Sequence, residues 1–169
     1  MEAMPHPTFI LRETTPADVP DVLRLIRGLA DYERLLHEVV MTEFELHAAL
    51  FGARPLAYAQ LAEADGKAVG LALWYHTFST FCGRPDIFLE DLFVEPEYRG
   101  RSIGLALLRY LAQRAVAEKC GRIEWRVLNW NAPSIAFYES LGATRMADWH
   151  VRRLEGDALA ALAQGARHG

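Results

Sequence analysis

Apolar residues recur along this chain with two periods. Val19, Val22, Leu25, Ile26, Leu29 and Ala30 follow three- and four-residue steps, which predicts a helix opened by Pro16 and Asp18 and running to about Leu35. Thr42 and Glu45 have the spacing of a capping box and predict a second helix over 43–51, ended by Gly52 and Pro55. A long helix from about Ser102 to Lys119 has Ile103, Leu107, Tyr110, Leu111, Ala115 and Val116 on its apolar face. Strand character marks Thr8–Arg12, Leu56–Ala64, Ala68–Thr77, Ile87–Val94 and Arg122–Leu128, with Asp65-Gly66 as a hairpin turn between the second and third. Asn131–Leu141 reads as a helix, with Pro133 in its first turn and Gly142 just past its end. Ala143–Leu154 is expected to supply one or two final strands, and Gly156–Ala163 a short helix. This order predicts one α/β domain over 8–164 with a mixed sheet, after a leader at 1–7 and before a tail at 165–169.

Composition narrows the function classes. A chain of 169 residues fits one domain, and 51% hydrophobic residues exclude a disordered protein. The net charge of −4 argues against nucleic-acid binding through net positive charge. No apolar run approaches the ~20 residues of a membrane span, so no membrane role is expected. Met1–Pro7 lacks the basic and apolar regions of a signal peptide, and Met4 is a second candidate start. Cys82 and Cys120 form no disulfide framework, which suits a reducing cytoplasm, and no His, Asp or Glu spacing suggests a metal. Histidines 37, 47, 150 and 168 read as surface residues, while His76 is a candidate to line a cleft.

Three segments carry candidate chemistry. The first is Tyr98-Arg99-Gly100-Arg101-Ser102-Ile103-Gly104, a basic loop between a strand and a helix. A helix start offers unpaired N–H groups and the positive dipole end, and glycine lets a ligand approach the backbone, so the loop suits a phosphate. An ordinary turn with solvated arginines accounts for the loop equally well. It is neither a P-loop nor a dinucleotide fingerprint. The second segment is Glu90-Asp91 in an otherwise apolar strand. Neighbouring strand residues face opposite ways, so one of the two faces a core or cleft, where a carboxylate is costly unless paired or used. The third is Asn129–Tyr138, in which Asn131 is an N-cap, Phe137 a core aromatic, and Tyr138 stands one position off that face.

Together these motifs resemble the GNAT superfamily of acetyl-CoA-dependent N-acetyltransferases. Arg99–Gly104 is similar to its pyrophosphate loop, and Asn131–Tyr138 with Leu141-Gly142-Ala143 to its later Asn…Tyr…Gly motif. Asp21–Glu33, Leu89–Val94, Pro96–Gly100 and Trp130–Tyr138 are similar to the spermidine/spermine (diamine) and thialysine acetyltransferase branch. The resemblance implies a mixed, mostly antiparallel sheet with flanking helices and a splayed acetyl-CoA cleft. It implies Tyr138 as general acid and Glu90 as the carboxylate near the amine. Leu92, Phe93 and Val94 would lie beside the pantetheine arm. Arg99, Gly100, Arg101, Ser102, Ile103, Gly104 and Leu105 would surround the pyrophosphate, and Asn131, Ala132, Pro133 and Ser134 would follow the CoA. Tyr32, Glu33, Asp91, Glu124, Trp125 and Arg126 would lie near the amine, with the loop residues Ser79, Thr80 and Phe81. Homodimers whose clefts borrow from both subunits are implied as well.

Two departures matter. Ser102 replaces the first core glycine of the loop; serine can cap a helix, so CoA binding is expected to survive with an added hydroxyl contact. The loop Phe78–Arg84 lacks the Asp and Trp of polyamine enzymes and is nearer the thialysine-type pattern. The expected reaction is direct attack by a primary amine of a small cationic substrate on acetyl-CoA, with no covalent enzyme intermediate. Glu90 would accept the amine proton and Tyr138 would protonate the departing sulfur, since a phenol of pKa ~10 faces a thiol of ~8.5. A protein N-terminal acetyltransferase and a non-catalytic acyl-CoA sensor are the alternatives.

Overall fold

The computed structural model describes residues 8–165. The leader at 1–7 and positions 166–169 of the tail, His168 among them, lie outside the described residues. Five strands form one sheet in the order β1-β2-β3-β4-β5: β1 Phe9–Glu13, β2 Tyr58–Ala64, β3 Lys67–Ser79, β4 Arg84–Val94 and β5 Ile123–Trp125. The first three pairings are antiparallel and the β4–β5 pairing is parallel. The helices are α1 Val19–Tyr32, α2 Glu43–Phe51, α3 Ile103–Ala117, α4 Ala132–Ser140 and α5 Gly156–Ala163. These elements fall into two compact units, one ending at Leu128 and one starting at Asn129.

In the first unit β3 is buried on both faces from Ala68 to Trp74 because helices cover both sides of the sheet. On one side Val22 and Leu25 of α1 and Leu46 of α2 pack on Leu61, Leu71 and Phe93. Gly28 lets α1 lie against β4, since a Cβ there would stand 2.7 Å from the Phe93 ring. On the other side α3 buries Ile103, Leu107 and Leu111. Gly70 admits it, because an added Cβ would meet Ile103 at 3.0 Å and Ala62 at 3.1 Å.

Local signals in the sequence explain most boundaries. The Thr42/Glu45 capping box forms with both reciprocal contacts. Asp65 and Gly66 take positive φ of 54° and 73°, as a two-residue hairpin turn requires. α1 stops three residues short of the expected Leu35. Arg34 adopts a left-handed φ of 62°, and its N–H donates to Asp31 while that of Leu35 donates to Ala30, a Schellman ending without glycine.

Among the described residues the second unit holds α4 and α5 alone. Asn131 caps α4 through its side-chain oxygen, and Gly142, at φ 88°, ends it. The final strands expected over Ala143–Leu154 are absent, and that segment is irregular with Trp149 and Val151 exposed. No other strand lies in this unit among the described residues, and a lone strand leaves its ladder groups unpaired.

Candidate active site

β4 changes partner pattern at Glu90. Leu73 of β3 pairs with Asp91 and Trp74 pairs with Leu89, so Glu90 is the extra residue of a β-bulge. The parallel ladder to β5 ends at the same place, with Leu89↔Trp125 its last pair. From Glu90 to Val94 the strand therefore pairs only with β3 among the described residues, and its other edge carries no strand.

Carboxylates gather at the bulge. The Tyr75 hydroxyl donates to Glu90 Oε2 at 3.3 Å, and Arg126 Nη2 lies 3.4 Å from the same oxygen. Asp91, half-buried, has its pKa pushed up to about 7, first by burial and then by the charges of Glu90 and Glu33. Glu33 is also raised, by burial and by Glu90. Burial and neighbouring negative charge raise the carboxyls of Asp91 and Glu33, so the cluster gains from a bound cation. The Schellman ending of α1 places Glu33 there, while Tyr32 lies beside Arg99.

The loop after β4 starts with a short 3-10 turn over Pro96–Tyr98. Gly100 takes φ 74° and Ser102 φ 63°, both left-handed. Ser102 stands at the N-cap position, and its hydroxyl does not use the capping bond open to a serine there. Its side chain makes no cap bond, and only its carbonyl accepts, from the Ala106 N–H at 2.9 Å. The left-handed backbone costs a non-glycine residue ~1–2 kcal/mol. The first N–H groups of α3, from Ile103, Gly104 and Leu105, have no partner within the helix. Gly104 keeps that surface low, since the nearest atom to an added Cβ is Val94 Cγ2 at 3.9 Å.

The two loop arginines differ. Arg99 Nε donates to the Val94 carbonyl at 2.9 Å, and its guanidinium lies 5.0 Å from the Tyr32 ring centre, so it braces the end of β4. Arg101 lies 5.0 Å over the Tyr98 ring within the loop. A groove of about 550 Å³ beside Arg24, Gly28, Tyr32, Phe93 and Arg99 does not include the three carboxylates.

Other expected residues are spread out. Glu124 and Trp125 are on β5, with Glu124 3.1 Å from Arg122, and Arg126 follows them beside Glu90. Ser79 ends β3, and its hydroxyl accepts the Cys82 N–H at 3.3 Å to close the β3–β4 turn. Thr80 and Phe81 lie at that tip, and Phe81 is 94% exposed. Glu90 is six residue steps along the extended strand from Arg84, ~20 Å, so a single chain does not bring this tip to its own carboxylates. His76, a candidate for the cleft, pairs instead with Glu118 at 2.6 Å. Tyr75, in contact with Glu90, has no signal in the sequence beyond its alternating place in β3, because that contact depends on register across the hairpin. In the second unit Asn131 is buried, Ala132 and Pro133 are exposed in the first turn of α4, and Ser134 donates its N–H to the Asn131 cap. Tyr138 is half-buried in α4, its ring 5.5 Å from that of Phe137.

The acetyltransferase (GNAT) family matches residues 24–143, from within α1 to just past α4. This chain belongs to that family. A thialysine N-epsilon-acetyltransferase of Bos taurus is 39% identical over 91% of this chain and 96% of its own length. The human spermidine/spermine N(1)-acetyltransferase-like protein 1 is 34% identical over 92% of this chain, which spans 24% of that longer protein. An integron cassette protein from the mobile metagenome of V. cholerae has the same fold, with a TM-score of 0.77 at 25% identity over 92% of this chain and 98% of its own. The chain is thus an N-acetyltransferase with the five-stranded mixed sheet of its family.

Proposed function

We propose that this N-acetyltransferase moves an acetyl group from acetyl-CoA to a primary amine of a small cationic substrate, by direct attack in a ternary complex. A thialysine-like amino acid is the first choice, ahead of a diamine or polyamine. The observation that carries this reading is the cluster of Glu33, Glu90 and Asp91 at the open edge of β4. A cationic amine supplies the counter-charge that the raised carboxyl of Asp91 lacks.

The residues fit acetyl-CoA, which when bound supplies the thioester carbonyl and the leaving thiolate. Leu92, Phe93 and Val94 offer backbone groups along the open edge, and a donor there polarises the acetyl carbonyl. Gly100–Leu105 present backbone N–H groups to the pyrophosphate, with Arg99 and Arg101 adding positive charge. Asn131–Ser134 follow the CoA. Glu90 takes the ammonium proton, directly or through water, and Tyr75 and Arg126 hold its carboxylate. Tyr138 gives a proton to the sulfur.

The enzyme acts as a homodimer in the cytoplasm. The distance of Thr80 and Phe81 from their own carboxylates supports a cleft completed by the partner's tip. The two free thiols suit a reducing compartment.

A thiol-release assay with acetyl-CoA against thialysine, lysine, putrescine, spermidine and peptides tests the reading. Turnover is expected with thialysine first. Turnover with peptides alone, or none at all, overturns it. Tyr138→Phe is expected to lower kcat by ~10²–10⁴ with little change in acetyl-CoA affinity, and near-normal turnover removes the proton-donor role.

A further inference from the structure

The far end of α3 carries a second cluster that acetyl transfer does not use. α3 ends at Ala117, ~22 Å along its axis from the phosphate loop. There one imidazole nitrogen of His76, one carboxylate oxygen of Glu118 and Cys120 Sγ lie within 4.8 Å of one another. His76 comes from β3, where it pairs across the hairpin with the fully buried Ile87. Glu118 and Cys120 flank Lys119, whose left-handed φ of 58° turns the chain. The Lys119 N–H donates to Val116 and that of Cys120 to Ala115, a Schellman ending that holds both side chains on one rigid turn.

We propose that His76, Glu118 and Cys120 bind one divalent transition-metal ion, zinc by the chemistry of its donors, and pin the C-terminal end of α3 to β3. Nitrogen, oxygen and sulfur donors from three side chains suit zinc with a water as fourth ligand. Two ligands held ~2.1 Å from a tetrahedral ion stand ~3.3 Å apart. His76 Nε2 and Glu118 Oε2 are now 2.6 Å apart, so they need to open by well under one ångström. The other Glu118 oxygen forms an ion pair with Arg114 Nε at 2.7 Å, which keeps positive charge beside the carboxylate without a hydrogen bond to it. Asp86 adds negative charge next to Cys120. It is 2% exposed, its Oδ2 pairs with Arg122, and its Oδ1 has no hydrogen-bond partner. The cluster escapes a spacing search because His76 and Glu118 are 42 positions apart.

Cobalt titration of chelator-treated, full-length protein tests the site. One equivalent is expected to give a thiolate-to-cobalt charge-transfer band with the strong visible bands of tetrahedral cobalt, all displaced by zinc. Cys120→Ser should abolish the charge-transfer band, His76→Gln should weaken cobalt binding at least ~10-fold, and Cys82→Ser should change neither. Far-UV circular dichroism checks folding, and Glu118→Gln replaces any variant that unfolds. Zinc should raise the thermal midpoint of the wild type and not of Cys120→Ser. A missing band, a band that follows Cys82, or equal cobalt affinity in wild type and Cys120→Ser overturns the proposal and leaves a plain His–Glu ion pair.

Discussion

The two halves of β4 differ in kind although they are one strand. From Ile87 to Leu89 it is paired on both edges, by β3 and β5, and Ile87 and Leu89 are buried. From Glu90 onward it is paired on one edge, carries two carboxylates, and leads into a loop with two left-handed residues. The first half is fixed by pairing on both edges, and the second is the half to which the proposed function assigns binding. The bulge makes the change abrupt, since one extra residue both turns a side chain and ends a ladder.

Five substitutions test that contrast, from the largest effect down. Glu90→Gln should lower kcat by ~10²–10⁴, most at low pH where the amine holds its proton firmly, while leaving stability almost unchanged. A modest loss independent of pH would make Glu90 a positioning residue. Ile87→Ala, in the doubly paired half, should cost ~2–5 kcal/mol in urea unfolding. Leu92→Ala beyond the bulge should cost less than about half of that, and equal losses would erase the distinction between the halves.

Asp91→Asn separates the halves by pH. The folded chain keeps a proton on Asp91 up to about pH 7, whereas the unfolded chain releases it near the usual 3.8. Wild-type stability should therefore fall as pH rises through that window, because the folded state binds more protons than the unfolded one. The Asn variant should be more stable at pH 8 by on the order of 2 kcal/mol and nearly equal to wild type below pH 4. The same gain at both pH values would contradict the raised carboxyl. The smallest effect belongs to the loop. Ser102→Gly relieves the left-handed strain but frees the unfolded chain, for a net gain of about 0.5–1 kcal/mol by thermal melting. A loss would mean that the serine hydroxyl has a partner in the folded enzyme.

Much of this was legible in local sequence because local chemistry decides it. The Thr42/Glu45 box set the bounds of α2, Asp65-Gly66 set the β2–β3 turn, and Asn131 with Gly142 set both ends of α4. Glu90-Asp91 stood out because charge in an apolar strand needs a reason. The final strands over Ala143–Leu154 failed as a reading because strand character supplies no partner to pair with. The capping bond open to Ser102 is not made because its preference for that role yields to the backbone of the loop.

Spacing along the chain thus determined the elements, their order, the family and which acidic and aromatic residues carry candidate chemistry, since periodicity, capping and turn formation act within a few residues. Tertiary structure decided the rest. The bulge at Glu90 is a register between β3 and β4, the pKa of Asp91 depends on Glu33 from another element, and His76 meets Glu118 and Cys120 only after α3 has packed on the sheet. Each of these depends on distances between segments remote in sequence, which the burial of the two helical layers on the sheet sets.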